Sequence, residues 1–131
     1  MISEAVRGQV VAANQAFYDA FAGRDLDALM ACWADDQDVA CIHPGGTPLC
    51  GYDLVRTSWE GLMSGDADDF SIHPEVVSVS YEDPVATVVC MERFATHGHG
   101  GGTRADLVAT NVFVLGAGGW RMLVHHASPV M

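Results

Sequence analysis

The apolar positions of this 131-residue chain change period once, near its middle. Between Ser3 and Phe21 the residues Val6, Val10, Asn14, Phe17 and Phe21 recur at spacings of three and four, which predicts an amphipathic helix. Ser3 is placed to cap its start and Gly23 to end it. Asp25 caps a second, shorter helix with Leu26, Leu29, Met30 and Trp33 as its buried stripe, and Asp35, Asp36 and Asp38 close it with a solvated loop. Val39 to His43 reads as a short strand, stopped by Pro44, Gly45 and Gly46. A third helix is predicted from about Tyr52 to Met63, with Val55, Trp59, Leu62 and Met63 on one face.

From Phe70 the period becomes two, predicting strands over Phe70 to Tyr81, Val85 to Thr96, Arg104 to Leu115 and Gly119 to Ser128. Glu82, Asp83 and Pro84 form the first turn, the glycine-rich stretch His97 to Thr103 the second, and a Gly-Ala-Gly-Gly turn the last. Strict alternation along the final strand puts Trp120, Met122, Val124 and His126 on one face, with Arg121, Leu123, His125 and Ala127 on the other. One of the two adjacent histidines therefore faces inward. The run Val85 to Met91 is apolar on both faces, which predicts a sheet covered on both sides, by helices on one and by a second copy of the chain on the other. A homodimer through the sheet is the expectation.

Composition narrows the class. A domain of this length buries roughly two thirds of the surface its unfolded chain exposes, so one domain spanning 1–131 needs no staples. No run of about 18 uncharged apolar residues is present, and the first residues lack the basic-then-apolar layout of a signal peptide, so no membrane contact and a cytoplasmic location are expected. Six Arg and Lys against 17 Asp and Glu give a net charge of −11, which repels nucleic acid and anionic lipid. Cys32, Cys41, Cys50 and Cys90 form no CxxC pair and read as small buried hydrophobes.

The order of elements and a set of short motifs resemble the NTF2-like superfamily, in particular its SnoaL-like branch. The residues that carry the resemblance are Ala16 to Phe21 with Asp25, Leu29 and Trp33; Cys41, His43, Pro44 and Gly45; Gly51, Val55, Ser58 and Trp59; and Thr110 to Phe113 with Gly119, Trp120, His126, Ala127 and Ser128. The resemblance implies an α+β cone, in which three N-terminal helices and a strongly bent, mainly antiparallel sheet enclose a pocket. The closing strands are similar to those of the calcium/calmodulin-dependent kinase association domain. Matching the patterns implies that Arg93, Asn111 and His126 line the pocket, and at the middle position the association domain has arginine where this chain has asparagine. These cones include isomerases, dehydratases, polyketide cyclases, transport factors and assembly domains, so the function rests on the site.

Candidate chemistry follows from a few polar residues. His43, at a strand end before the Pro-Gly-Gly turn, can reach a pocket mouth. His126, facing the interior under the resemblance, would be a partly desolvated neutral imidazole able to move a proton. Both are candidate catalytic residues, provided they converge on one ligand. Trp33 and Trp59 are candidate apolar walls, and Asn111 a polar contact. Arg93 either pairs with a carboxylate, Glu92 being excluded by facing the other way, or awaits a ligand carboxylate or carbonyl. No acidic residue reads as a base inside the cavity, since the acids cluster in loops, at helix starts or on outward faces. No cofactor and no metal are expected, because His97 and His99 lack a fixed third ligand and adjacent strand histidines cannot chelate one ion. The expected function is a small-molecule-binding domain running metal-free dehydration or isomerisation on a small carbonyl or polyketide-like ligand. The rival is a non-catalytic ligand-sensing or structural dimerisation module.

Overall fold

The computed structural model describes residues 2–64, 69–97 and 102–131, so His99 of the candidate metal pair lies outside the described residues. Helix α1 spans Glu4–Ala22, α2 Leu26–Ala31 and α3 Tyr52–Met63; the strands are β1 Ala40–Ile42, β2 Leu49–Cys50, β3 Phe70–Glu82, β4 Val85–Thr96, β5 Arg104–Gly116 and β6 Gly119–Pro129. Ser3 caps α1 by accepting the Val6 N–H at 3.2 Å, and Asp25 caps α2 by accepting the Ala28 N–H at 3.1 Å. Gly23 ends α1 in an ordinary right-handed conformation, and the positive φ of 52° falls one residue later, on Arg24. The two-residue strand β2 carries too few positions for a period and was not anticipated.

The strands form one strongly curved six-stranded sheet in the order β2-β1-β6-β5-β4-β3. β1 runs parallel to β6, and the other neighbours are antiparallel. The β3–β4 turn contains a cis Asp83–Pro84 bond. Helix α1 lies across the concave face and buries Val10, Asn14, Phe17 and Tyr18 against it. With Leu29, Met30, Val55, Trp59, Phe113 and Met122 these residues fill the core. This is an α+β cone, open at one end.

Two irregularities decide which side chains enter the cone. In the β5–β6 ladder Val112 pairs with Val124 but Phe113 pairs with Met122, which leaves Leu123 without a partner. One extra residue reverses every later side chain. Trp120 and Met122 face inward before the bulge, and His125 and Ala127 after it, all four buried. His126 is exposed on the outer face, which corrects the inward orientation expected for it. The second bulge, at Val77 in β3, leaves that side chain 61% exposed. Strand β4 pairs with β5 without interruption and sends Ala86, Val88, Cys90 and Glu92 inward. Arg93 therefore points out, and the expected parity of this strand is reversed. On the outer face Val89, Met91, Val108, Val112 and Val124 are half-buried in the single chain.

Candidate active site

The concave face, α1 and α3 enclose a cavity of about 410 Å³. Its walls are largely apolar, with Phe17 and Phe21 from α1, Trp59 from α3, and Ile72 and Phe94 from the sheet. The polar groups on its lining are His43, Glu92 and His125. Trp59 sits at the centre of the wall, with its ring 5.5 Å from Phe17, 5.0 Å from Phe21 and 4.9 Å from His43. Leu62, expected on the buried face of α3, is 53% exposed and lies at the cavity mouth. A larger surface depression of about 580 Å³ beside Asp35, Asp36 and Asp53 brings together no buried titratable side chains, and we place no chemistry there.

Glu92 is the carboxylate that sequence patterning did not find. It is only 4% exposed, and its Oε2 accepts the Tyr18 hydroxyl at 2.6 Å. Burial raises its pKa above the ordinary carboxylate range, against the smaller opposing effect of the Tyr18 hydrogen bond. His125 Nε2 stands 3.9 Å from the same oxygen. Burial, with lesser repulsion from His43 and His126, pushes the His125 imidazole down to about 3, so it is neutral at physiological pH. With the imidazole neutral, the contact is a pair of opposed acid–base groups rather than a salt bridge.

Behind this pair lies a sealed polar layer. His125 Nδ1 lies 2.6 Å from Asn111 Oδ1, and Asn111 Nδ2 donates to Asn14 Oδ1 at 2.8 Å and to the Tyr18 oxygen at 3.1 Å. Asn14 and Asn111 are 1% and 0% exposed, so every one of their polar atoms needs a protein partner. Cys90 closes the layer, with its sulfur 3.5 Å from the Tyr18 oxygen. His43 is half-buried at the mouth, and burial lowers its pKa. Its Nε2 lies 3.1 Å from Ser58 Oγ, whose proton is already given to the Val55 carbonyl at 2.7 Å, so His43 donates through Nε2.

The candidate residues read from the sequence therefore separate. His43 and Trp59 line the cavity. Asn111 lies behind it, reaching a ligand only through His125. Trp33 is buried elsewhere, bridged to Met122 at the β6 edge, and forms no wall of the cavity. His126 is outside, so the pairing of His43 with His126 on one ligand fails. Arg93 is also outside, where its guanidinium meets Asp106 at 2.8 Å and Glu75 at 3.1 Å, both exposed. Its choice between a protein carboxylate and a ligand is settled for the protein. Tyr18 and Asn14, missed before, sit four residues apart on α1, and Asn14 already stood in the predicted helix stripe as a polar member. Among the described residues no group of three His, Cys, Asp or Glu side chains could hold a metal ion, and no helix is long and apolar enough to cross a membrane.

The family model of the SnoaL-like domain matches residues 10–131. A proposed calcium/calmodulin-dependent protein kinase type II association domain from Thiobacillus denitrificans is 40% identical, with a TM-score of 0.83, covering 92% of this chain and 94% of its own. A proposed dehydratase of the NTF2-like family from Streptomyces avermitilis is 32% identical, with a TM-score of 0.85 and 95% of each chain covered. The F-box protein SKIP8 of Arabidopsis thaliana is 27% identical over 123 residues, 93% of this chain, and the chain spans about half the length of that relative.

Proposed function

The chain belongs to the SnoaL-like domain family of NTF2-like proteins, and from that premise we propose that it binds a small carbonyl or polyketide-like ligand in the cone and catalyses its dehydration or isomerisation by proton transfer. The observation that carries this reading is the buried Glu92–His125 pair on the floor of an aromatic-walled cavity. A carboxylate whose pKa is raised by burial is a stronger base than a solvated one. Glu92 would take the proton from the carbon beside the ligand carbonyl. It would then hand that proton to a departing hydroxyl, releasing water, or to another carbon of the same ligand. His125 would accept a ligand hydroxyl at Nε2, and Trp59, Phe17 and Phe94 would exclude water from the reacting carbon. His43 is assigned to the mouth as a second polar contact. The relative from Streptomyces avermitilis, named as a proposed dehydratase, agrees with this class of chemistry.

The test is deuterium exchange at the α-carbon of small cyclic ketones in heavy water, followed by proton NMR. Exchange above the buffer rate in the native protein, reduced about 10²-fold or more in Glu92→Gln, is the expected result, since positioned acid–base groups contribute roughly 10²–10⁴. Binding of the ketones with no exchange above buffer would reject turnover in favour of a ligand-sensing module.

A second reading has its own observation. The outer face of the sheet carries a row of half-buried valines with Met91, and the relative from Thiobacillus denitrificans is described as an association domain. We infer that residues 1–131 act as one domain that pairs with a second copy through this face, in the cytoplasm, without nucleic acid. Sedimentation at low micromolar concentration checks the pairing, and a clean monomer would contradict it.

A further inference from the structure

Asn111 touches none of the cavity, yet the proton on each polar group of the cavity floor can be traced to it. Tyr18 has one proton, and its 2.6 Å contact with Glu92 Oε2 consumes it. The Asn111 atom 3.1 Å from the Tyr18 oxygen must then be an N–H donor, and Asn14 Oδ1 at 2.8 Å takes the other N–H from the same nitrogen. The remaining Asn111 atom is consequently the amide oxygen. His125 Nδ1, 2.6 Å from it, can only donate, which leaves Nε2 unprotonated. The other titratable groups around the ring are Glu92 on the cavity side, Cys41 in β1, His43 just after it, and His126 next in the chain; none of them bonds Nδ1. Glu92 Oε1 carries no hydrogen bond from the described residues.

We infer that Asn111 is the positioning residue of the site: its N–H groups aim the Tyr18 proton at Glu92 Oε2 while its oxygen holds His125 in the Nδ1–H tautomer. Glu92 Oε1 and His125 Nε2 are thereby presented to the ligand together. This deepens the proton-transfer reading and rests on it, because it says what the ligand must bring. Among the described residues no arginine lines the cavity, the chain has no lysine, and the floor offers two acceptors. The matching ligand is uncharged and carries a hydroxyl for Nε2 beside the acidic C–H that Glu92 removes, as a β-hydroxy ketone does; a ligand carboxylate finds no cation there.

The experiment uses protein labelled with ¹⁵N-histidine and long-range ¹H–¹⁵N correlation at pH 7, with His125→Gln to assign the His125 signals. The native protein should show one unprotonated nitrogen, Nε2, and a protonated Nδ1. Asn111→Leu should lose this pattern and move the proton to Nε2, whereas Asn111→Asp, which keeps an acceptor oxygen, should retain Nδ1–H. A native His125 protonated at Nε2, or an unchanged pattern in Asn111→Leu, overturns the proposal. If Asn111→Leu does not fold, the native spectrum and that of Asn111→Asp decide, since loss of Nδ1–H in Asn111→Asp is equally fatal. The tautomer is read without turnover, so a correct tautomer with no α-carbon exchange rejects the proton-transfer reading alone.

Discussion

Replacing His125 with glutamine should change the pH dependence of stability in a direction and by an amount the structure sets. In the unfolded chain the imidazole titrates near its ordinary value of 6.5, and in the folded chain it is pushed down to about 3. Below pH 6.5 the unfolded state therefore binds more protons, and stability present above that pH is lost as the pH falls toward the folded value. Each pH unit in that window removes about 1.4 kcal/mol, so His125 alone costs about 2 kcal/mol by pH 5 and about 5 kcal/mol by pH 3. Glutamine keeps a donor for the Asn111 oxygen but has no charge to bury. Urea unfolding, followed by the fluorescence of Trp33, Trp59 and Trp120, should be measured on both proteins at pH 7.5, 6.5 and 5. The difference between them isolates His125 from the many surface carboxylates that titrate lower. The native advantage should shrink by about 2 kcal/mol between pH 6.5 and 5. Parallel curves would show that the imidazole is not held neutral, and the acid–base assignment of the cavity floor would fall with it.

Glu92→Gln should act with the opposite sign. A carboxyl whose folded pKa is raised contributes stability below its ordinary value of 4.5 that is lost as pH rises through the folded value, so the variant should gain on the native protein as pH increases, by at most about 1.4 kcal/mol per pH unit in urea titrations. Arg93→Ala removes two exposed ion pairs and should cost less than about 1 kcal/mol by the same assay, with ligand binding unchanged. Iodoacetamide at pH 8 should label the exposed Cys50 in the native protein but spare Cys41, whose thiol burial pushes up to about 12, and Cys90; mass spectrometry of the digest identifies the modified site. Trp59→Ala should lower stability by about 3–5 kcal/mol in chemical unfolding, as loss of a fully packed aromatic does.

The helices and long strands were legible because each rests on a local period: the Val10, Asn14, Phe17 stripe and the caps at Ser3 and Asp25 need only neighbours in sequence. The cone itself was legible through the resemblance. The site was read incorrectly where a parity had to be carried along a strand. Counting from Trp120 gives His126 the inner face, and the unpaired Leu123 reverses the count before it reaches the histidines. In β4 the run Val85 to Met91 is apolar on both faces, so nothing local marks which of Glu92 and Arg93 turns inward; the pairing of Glu92 with Leu107 and of Arg93 with Asp106 does. Trp33 ended the apolar stripe of α2 as Trp59 stood in that of α3, but the edge of β6 takes Trp33 up before it reaches the cone. Long-range pairing decided each of these outcomes, and no short motif encodes it.

Helix α1 supplies Asn14 and Tyr18 to the polar layer and Phe17 and Phe21 to the cavity wall, all within eight consecutive residues. Cavity wall and proton wiring are thus detachable as one piece. When the helix lifts, water reaches Glu92 and His125 together, the Asn111 amide loses both α1 partners, and the floor reverts to ordinary solvated side chains. Amide exchange in α1 and titration of the two floor groups should consequently report one and the same opening equilibrium.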